Sequence, residues 1–226
     1  MIVISLGGSV INPGTIDKAF LEGFTHLLEE MVENGHKFVV VCGGGAVSRQ
    51  YIAALPEELS EGQKDMIGIE PTWLNARLIA VYFRNLCSQV IPRQFDQLIG
   101  QLERYPIAIC GGYLPALKTD EDAAIIADYF GAKSLINVTN VDGVYDKDPT
   151  KVPDAKKFDK LTYKEFIDLF WGERIGAGAN APFTLIATKI AERAKIPIVV
   201  LSKNLERIRK AILDPFTPNI GTIIHE

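Results

Sequence analysis

The chain has 226 residues, with 24 Lys and Arg against 28 Asp and Glu, a net charge of −4 and no run of four basic residues; this argues against nucleic acid as the main partner but leaves small anionic ligands open. With 47% hydrophobic and 23% charged residues, and apolar stretches no longer than Phe38 to Cys42 or Ile196 to Leu201, it reads as a packed globule and not as a disordered, fibrous or membrane-spanning chain, since a membrane helix needs roughly 20 apolar residues. Cys42, Cys87 and Cys110 are odd in number without a C-x-x-C spacing, and Met1 to Leu6 has no basic segment ahead of its apolar residues, so a reducing cytoplasm and no signal peptide are expected.

Ile2 to Leu6 reads as a first strand. Ile16 to Asn34 carries Phe20, Phe24, Leu27, Leu28 and Met31 at the spacing of one helical face, and Gly35 ends it. Phe38 to Cys42 is a second strand, a helix begins after Gly43-Gly44-Gly45, and another covers Trp73 to Leu86. A short strand is expected near Gln89 to Ile91, a helix near Phe95 to Glu103, a strand at Ile107 to Cys110, a helix at Asp120 to Phe130 and a strand at Ser134 to Val138. Helices at Tyr163 to Phe170 and Pro182 to Ala194, a strand at Ile198 to Leu201, a helix at Leu205 to Leu213 and a strand at Thr222 to His225 complete the chain. Uniformly apolar strands separated by helices imply a parallel sheet buried on both faces, hence an α/β fold. With no repeat or long polar linker, residues 1–226 are expected to form one domain, and Asp142 to Lys160, rich in Asp, Lys and Pro, reads as a functional surface loop.

In such a sheet, ligands bind beyond the carboxyl ends of the strands. Three of these ends carry glycines, in Gly7-Gly8-Ser9, Gly43-Gly44-Gly45 and Gly111-Gly112. A glycine admits a backbone N–H close to a phosphate; it also simply permits a tight turn, and only the threefold recurrence favours phosphate. Gly43 to Ser48 lacks the last glycine of G-x-G-x-x-G, so a Rossmann cofactor is not expected. The segment Gly112 to Thr119 has the length of a P-loop, but Leu117 replaces the second glycine and Pro115 removes a donor. Arg49, on the first turn after the second glycine loop, is placed to clamp a phosphate bidentately, and Asp65 to accept a ribose hydroxyl; an exposed helix arginine and a loop aspartate are the plain alternatives.

The segment Thr139-Asn140-Val141-Asp142-Gly143-Val144-Tyr145, followed by Asp148-Pro149, is the most distinctive. Together with Ser5-Leu6-Gly7-Gly8-Ser9, Gly43-Gly44-Gly45 with Arg49, and Gly111-Gly112 with Thr119-Asp120, it resembles the amino acid kinase family, and within it the archaeal type of uridylate kinase. The resemblance covers nearly the whole chain in order. It implies a three-layer αβα sandwich with a mainly parallel central sheet, an N-terminal part holding the acceptor and a C-terminal part holding ATP. By carry-over, Ser5, Leu6, Gly7, Gly8, Ser9, Gly45 and Arg49 would belong to the ATP site, with Gly7, Gly8, Ser9 and Gly45 cradling the transferring phosphate. Gly44, Arg49 and Asp65 would hold UMP, and Tyr113, Leu114, Pro115, Ala116, Leu117, Lys118 and Thr119 would line the uracil pocket. Thr139, Asn140, Tyr145 and Asp148 would bind the ATP base and ribose. Mg²⁺ would be held mainly by phosphates, with no protein metal ligands expected, and the assembly would be a homohexamer.

This chain departs from the family pattern where many members carry lysine, at Ser5 and Asn140, and where archaeal uridylate kinases read roughly Gly-Gly-Thr-His-Pro-Gly-His-Thr-Thr-Asp against Gly111 to Asp120 here. Two histidines give way to leucines, and Lys118 is new. We therefore expect Lys118 to supply the missing cation and to act with Gly8, Ser9 and Arg49 in the transfer itself. Trp73 is expected to stack on a base or to pack in the core or an interface. Gly176 to Ala181 resembles the family's small-residue loop near ATP, with Lys189 following on the next helix; a helix entry capped by Asn180 is its plain alternative. A different small phosphate or carboxylate acceptor, or a non-catalytic ATP-binding storage or regulatory relative, is the competing reading. An isopentenyl phosphate kinase is disfavoured, because none of His26, His36 or His225 follows the second glycine motif.

Overall fold

The computed structural model describes residues 1–149, 151–171 and 182–226. Its elements run β1 (Ile2–Leu6), α1 (Gly8–Ile11), α2 (Lys18–Glu33), β2 (Phe38–Cys42), α3 (Gly45–Ala53), α4 (Glu61–Phe83), α5 (Phe95–Leu102), β3 (Ile107–Cys110), α6 (Thr119–Phe130) and β4 (Leu135–Thr139). There follow β5 (Val144–Tyr145), β6 (Lys157–Phe158), β7 (Lys160–Thr162), α7 (Tyr163–Phe170), α8 (Leu185–Ala194), β8 (Ile198–Ser202), α9 (Leu205–Leu213) and β9 (Thr222–His225).

Seven strands form one sheet in the order β3-β2-β1-β4-β8-β9-β7. The four pairings that join β3, β2, β1, β4 and β8 are parallel, with β1 between β2 (Ile4↔Val40) and β4 (Ile4↔Ile136). Alternate residues of each strand point to opposite faces, and both faces are covered. Ile2, Ile4, Leu6, Phe38, Val40, Ile109 and Val138 meet α2, α4 and α9 in one core layer. Val3, Val39, Val41, Ala108, Leu135 and Val200 meet α5, α6, α7 and α8 in the other. The sheet with helices on each face is the three-layer α/β sandwich, and it explains why the strands are apolar without alternation.

Three sequence expectations change. The helix expected from Trp73 begins at Glu61, where Ser60 and Gln63 make a reciprocal capping box: Gln63 N–H donates to Ser60 Oγ at 3.3 Å and Ser60 N–H to Gln63 Oε1 at 3.0 Å. Pro71 lies inside this helix, and it interrupted the helical pattern in the sequence because proline removes a backbone donor. The strand expected at Gln89 to Ile91 does not form; Gln89 Nε2 donates to the Ala80 and Arg84 carbonyls and Ile91 is buried in a core layer, so the segment closes the end of α4 and joins no strand. The loop Asp142 to Lys160 contains the antiparallel β5–β6 pair, and β9 runs antiparallel to β8 while pairing parallel with β7.

Phe24 on α2 is fully buried, stacked 5.6 Å from Phe20. Phe24→Ala is expected to cost about 3–5 kcal/mol of stability through lost transfer energy and the cavity left behind, read by urea denaturation; a change below about 1 kcal/mol would show that this layer is not packed as described.

Candidate active site

From β1 the chain adds β2 and β3 on one side of the sheet, then crosses to add β4 and β8 on the other. The order reverses between β1 and β4, and a doubly covered parallel sheet opens its binding crevice at such a switch. Two glycine turns meet there backbone to backbone. A Cβ on Gly8 would sit 2.1 Å from the Gly45 nitrogen, and one on Gly45, whose φ is +65°, would sit 2.5 Å from the Gly8 carbonyl. These glycines are therefore required first for the contact between the turns. The contact sets Gly8 and Ser9, whose N–H groups open the first turn of α1 and have no intrahelical partner, beside the opening of α3.

A cavity of ≈ 560 Å³ lies over these turns, walled by Gly8, Ser9, Gly44, Gly45, Arg49, Asp65 and the segment Leu117 to Asp120. Helix α4 builds its far side and anchors the strand ends. Asn75 Nδ2 donates to the Gly43 carbonyl at 2.7 Å. The Thr72 hydroxyl accepts from Gly112 N–H at 2.9 Å and donates to the Ile69 carbonyl, and the Trp73 indole N–H donates to the Gly112 carbonyl at 2.9 Å. Both polar groups of Gly112 are thus held by consecutive side chains of one helix. Arg93 lies 4.0 Å over the Trp73 ring, so that face is covered, and Trp73 serves as an anchor packed on the core and not as a stacking platform for a base.

Arg49 and Lys118 contribute positive charge to the cavity, and neither is in an ion pair among the described residues. Burial pushes the Asp120 carboxyl up to about 6, opposed by the hydrogen bond from Ser5 Oγ at 2.8 Å. Burial also raises Asp122 to about 7, opposed by Tyr113 N–H at 3.3 Å. The Tyr113 phenol, turned into the core beside Cys110, is raised well above the usual range by burial and then by the Cys110 charge. Among the described residues its oxygen meets no hydrogen-bond partner of ordinary geometry.

A second cavity, ≈ 280 Å³, lies beyond β4 and is walled by Asn140, Val141, Gly143, Tyr145, Asp148, Phe170 and Pro182. Asp142 organises it: Tyr145 OH donates to Oδ1 at 2.5 Å, while Lys157 and Arg207 reach Oδ2 at 3.2 and 3.3 Å. Burial raises this carboxyl, but these donors outweigh it and hold the group below the usual range. Asn137, buried on β4, donates to the Pro182 carbonyl at 2.6 Å and fixes the opposite wall.

One cavity thus lies over the Gly8 and Ser9 turn and a second beyond β4 on a doubly wound sheet, and residues 1–202 match the model of the amino acid kinase family. The chain belongs to the amino acid kinase family. It is 38% identical to the uridylate kinase of Thermoplasma volcanium over 226 residues, covering 100% of this chain and 97% of that protein. It is 36% identical to the uridylate kinase of Methanocaldococcus jannaschii over 230 residues, 99% of this chain and 98% of that one. The crystal structure of uridylate kinase from Archaeoglobus fulgidus superimposes with a TM-score of 0.84 at 33% identity, covering 99% of each chain. A UMP kinase from Bacillus anthracis, at 19% identity and TM-score 0.75, shares the fold.

In this amino acid kinase the residues read from the sequence divide into those on the cavity walls and those behind them. Gly8, Ser9, Gly44, Gly45, Arg49, Asp65, Leu117, Lys118 and Thr119 stand on the first wall, and Asn140, Tyr145 and Asp148 on the second. Ser5 and Leu6 are buried in β1 behind the site, and Gly7 N–H is bonded to the Val138 carbonyl. Thr139 stands behind the second wall, donating to Asn140 Oδ1. The expectation that the whole of Tyr113 to Thr119 lines one pocket is corrected: the Tyr113 ring turns inward to the core, Leu114 is exposed, and Ala116 N–H is bound to Asp65 Oδ2 at 2.8 Å. The tyrosine ring follows the apolar interior, while Leu117 stays on the cavity wall and Leu114 faces solvent. Lys189 pairs with Glu192 away from both cavities, and Gly176 to Ala181, with its Asn180 cap, falls outside the described residues. Sequence reasoning missed Thr72, Asn75, Asp120, Asn137 and Asp142 as site-building groups. The capping box at Ser60 was the available signal for the first two, since it starts α4 early enough to carry them past both strand ends.

Gly8→Ala is expected to drive the two glycine turns apart and lower Tm by several degrees with loss of ATP affinity, since a backbone contact cannot yield as a side chain does; unchanged melting and binding would refute the contact. Because the folded state holds the Asp122 proton more tightly than the unfolded chain, whose value is 3.8, stability falls as pH rises from about 4 to about 7. Asp122→Asn keeps an acceptor for Tyr113 N–H and removes this fall, on the order of a few kcal/mol. Denaturation at several pH values tests it, and parallel profiles for the two proteins would sink the assignment.

Proposed function

We propose that this chain is a uridylate kinase, transferring the γ-phosphoryl group of ATP to the phosphate of UMP to give UDP and ADP. The observation that carries the reading is the pair of cavities, one over the Gly8 and Ser9 turn with Arg49 and Lys118 on its wall and one beyond β4 walled by Tyr145; full-length similarity to uridylate kinases supports it. ATP takes the second cavity with its base and ribose against Asn140, Tyr145 and Asp148, and extends its phosphates toward Gly8, Ser9 and Gly45. UMP takes the first, its phosphate at Arg49 and its ribose at the remaining oxygen of Asp65. An acceptor phosphate oxygen forms the new bond to Pγ, the bond from Pγ to the β,γ-bridging oxygen breaks, and that electron pair leaves on ADP. No covalent intermediate with the protein is needed.

The chain aligns the reactants and meets the charge that develops between them. Gly8 and Ser9 supply backbone donors, and Lys118 supplies a cation on the wall that it shares with Asp120. Mg²⁺ bound with ATP neutralises phosphate charge. The ion would be held mainly by the phosphates, with Asp65 and Asp120 the carboxylates on the same wall. Residues 1–226 act as one domain, the halves meeting at β1 and β4. No described helix is long and apolar enough to cross a membrane. Three free, buried cysteines fit a cytoplasmic setting, and exposed Leu74 and Val81 on one face of α4 fit the homo-oligomer, a hexamer, that the family resemblance implies.

ADP formation from Mg-ATP is expected with UMP and not with isopentenyl phosphate, carbamate or acetylglutamate. Silence with UMP despite tight ATP binding would move the protein to another acceptor or to a storage role. Arg49→Ala is expected to raise KM for UMP by roughly 10–100-fold, the worth of a charged hydrogen bond. Lys118→Ala is expected to lower kcat by roughly 10²-fold with KM for ATP little changed; turnover and both affinities left as in the wild type would remove Lys118 from the mechanism.

A further inference from the structure

We propose that Glu121 is a positioning residue for the transfer: it fixes the backbone of Lys118, and through it the ammonium on the wall of the first cavity. The inference rests on the kinase reading above and adds to it how the cation is held.

Helices α4 and α7 open on a reciprocal pair of bonds between the N-cap residue and the third helical residue. Ser60 and Gln63 form one pair, Thr162 and Glu165 the other. In each, the N-cap hydroxyl accepts from the later N–H, at 3.3 and 3.1 Å, and the later side chain accepts from the N-cap N–H, at 3.0 and 2.7 Å. All four of these residues are exposed. At α6 the N-cap is Lys118. An ammonium has three donors and no acceptor, and no side-chain cap bond is made. The return half of the pair remains: Lys118 N–H donates to Glu121 Oε2 at 2.6 Å, and Glu121 N–H donates to the Lys118 carbonyl at 3.0 Å. Glu121 therefore holds residue 118 at both ends of its backbone.

For the helix alone, lysine is a poor choice at this position. It forgoes the cap bond, and its charge meets the positive end of the helix. Asp120, Glu121 and Asp122 in the first turn offset the second cost. What the position gains is placement of a cation: Lys118 lines the first cavity beside Thr119 and Asp120. Burial raises the Asp120 carboxyl, and the Ser5 hydroxyl and the Lys118 charge oppose it, so the ammonium stands within electrostatic reach of Asp120. Glu121 is 3% exposed and stands behind that wall, not on it. A carboxylate is costly to bury, and a cap with no further task stands at the surface, as Gln63 and Glu165 do. From behind the wall Glu121 acts on an incoming phosphate through Lys118. A helix start that gives up its capping side chain to place a charge at a cavity is a local rule broken in favour of the site.

The test is steady-state UMP phosphorylation by the full chain with Mg-ATP, read as ADP formation. Glu121→Ala is expected to lower kcat by about 10-fold or more, the effect of a misplaced cation, with KM for UMP and for ATP changed by less than about 3-fold. Glu121→Gln keeps an acceptor for Lys118 N–H and is expected to stay within about 3-fold of the wild type. In a Lys118→Ala background Glu121→Ala is expected to lower kcat no further, because residues that act as one unit are not additive. An equal loss in both backgrounds makes Glu121 merely structural and overturns the inference, and so does a Glu121→Ala variant with wild-type kcat. Two further variants decide the matter even if Glu121→Ala does not fold. Glu121→Gln as slow as Lys118→Ala overturns the inference, because the acceptor is still present. Lys118→Ser restores a capping side chain and is expected to raise Tm by about 2–4 °C while lowering kcat; a Tm at or below that of the wild type overturns it. No turnover of UMP by the wild type overturns the kinase reading itself, and this inference with it.

Discussion

Everything at the site depends on the contact between the turn after β1 and the turn after β2, where Gly8 and Gly45 touch through their backbones. No side chain of any size fits between them. The contact puts the turn after β1 on the wall of the first cavity, and the second cavity opens beyond the neighbouring strand β4, on the other side of the switch in strand order. A doubly covered parallel sheet leaves no other crevice at its carboxyl edge of this kind. The phosphate-binding donors follow from the packing requirement: turns tight enough to touch also begin helices whose first N–H groups have no partner within the helix.

Helix α4 gives the edge its rigidity. It spans from the cavity, where Asp65 and Gly68 stand, to the core, where Ala76, Ile79 and Phe83 are buried. Between these ends, Thr72, Trp73 and Asn75 grip the carboxyl ends of β2 and β3. The same helix thus seals one core layer and positions the acceptor wall. On the donor side Asp142 has the corresponding role, drawing Tyr145, Lys157 and Arg207 from β5, β6 and α9 onto one carboxylate. Such a half-buried hub holds its geometry because removing any one donor leaves a charge incompletely compensated.

The electrostatics of the two walls differ in a way that suits phosphoryl transfer. Arg49 and Lys118 on the first wall are in no ion pair among the described residues, whereas Lys157 and Arg207 beside the second cavity are engaged with Asp142. Asp120 lies beside the phosphates' path with its carboxyl raised by burial and tied to Ser5. Backbone donors at Gly8 and Ser9 with Arg49 and Lys118 on one wall are the preorganised arrangement that the proposed transfer without a covalent intermediate requires.

Much of this was legible in the residues. The apolar strands, the alternation with amphipathic helices and the glycine-bearing strand ends determine an α/β sheet with a phosphate-binding edge, because burial on both faces and tight turns leave direct marks in local sequence. That Arg49, Asp65 and Tyr145 stand on cavity walls was readable as well, since each lies close in sequence to a glycine turn or the strand end beside it. The tertiary structure alone decided that Tyr113 turns into the core while Lys118 stays at the cavity, that Trp73 anchors Gly112 with its face closed by Arg93, that Gln89 to Ile91 closes a helix, and that Asn137 and Asp142 hold the second pocket. Each of these turns on a partner distant in the chain, such as Asp142 with Arg207 or Trp73 with Gly112, and a residue's direction is decided by competition between burial and such partners, which no local pattern encodes.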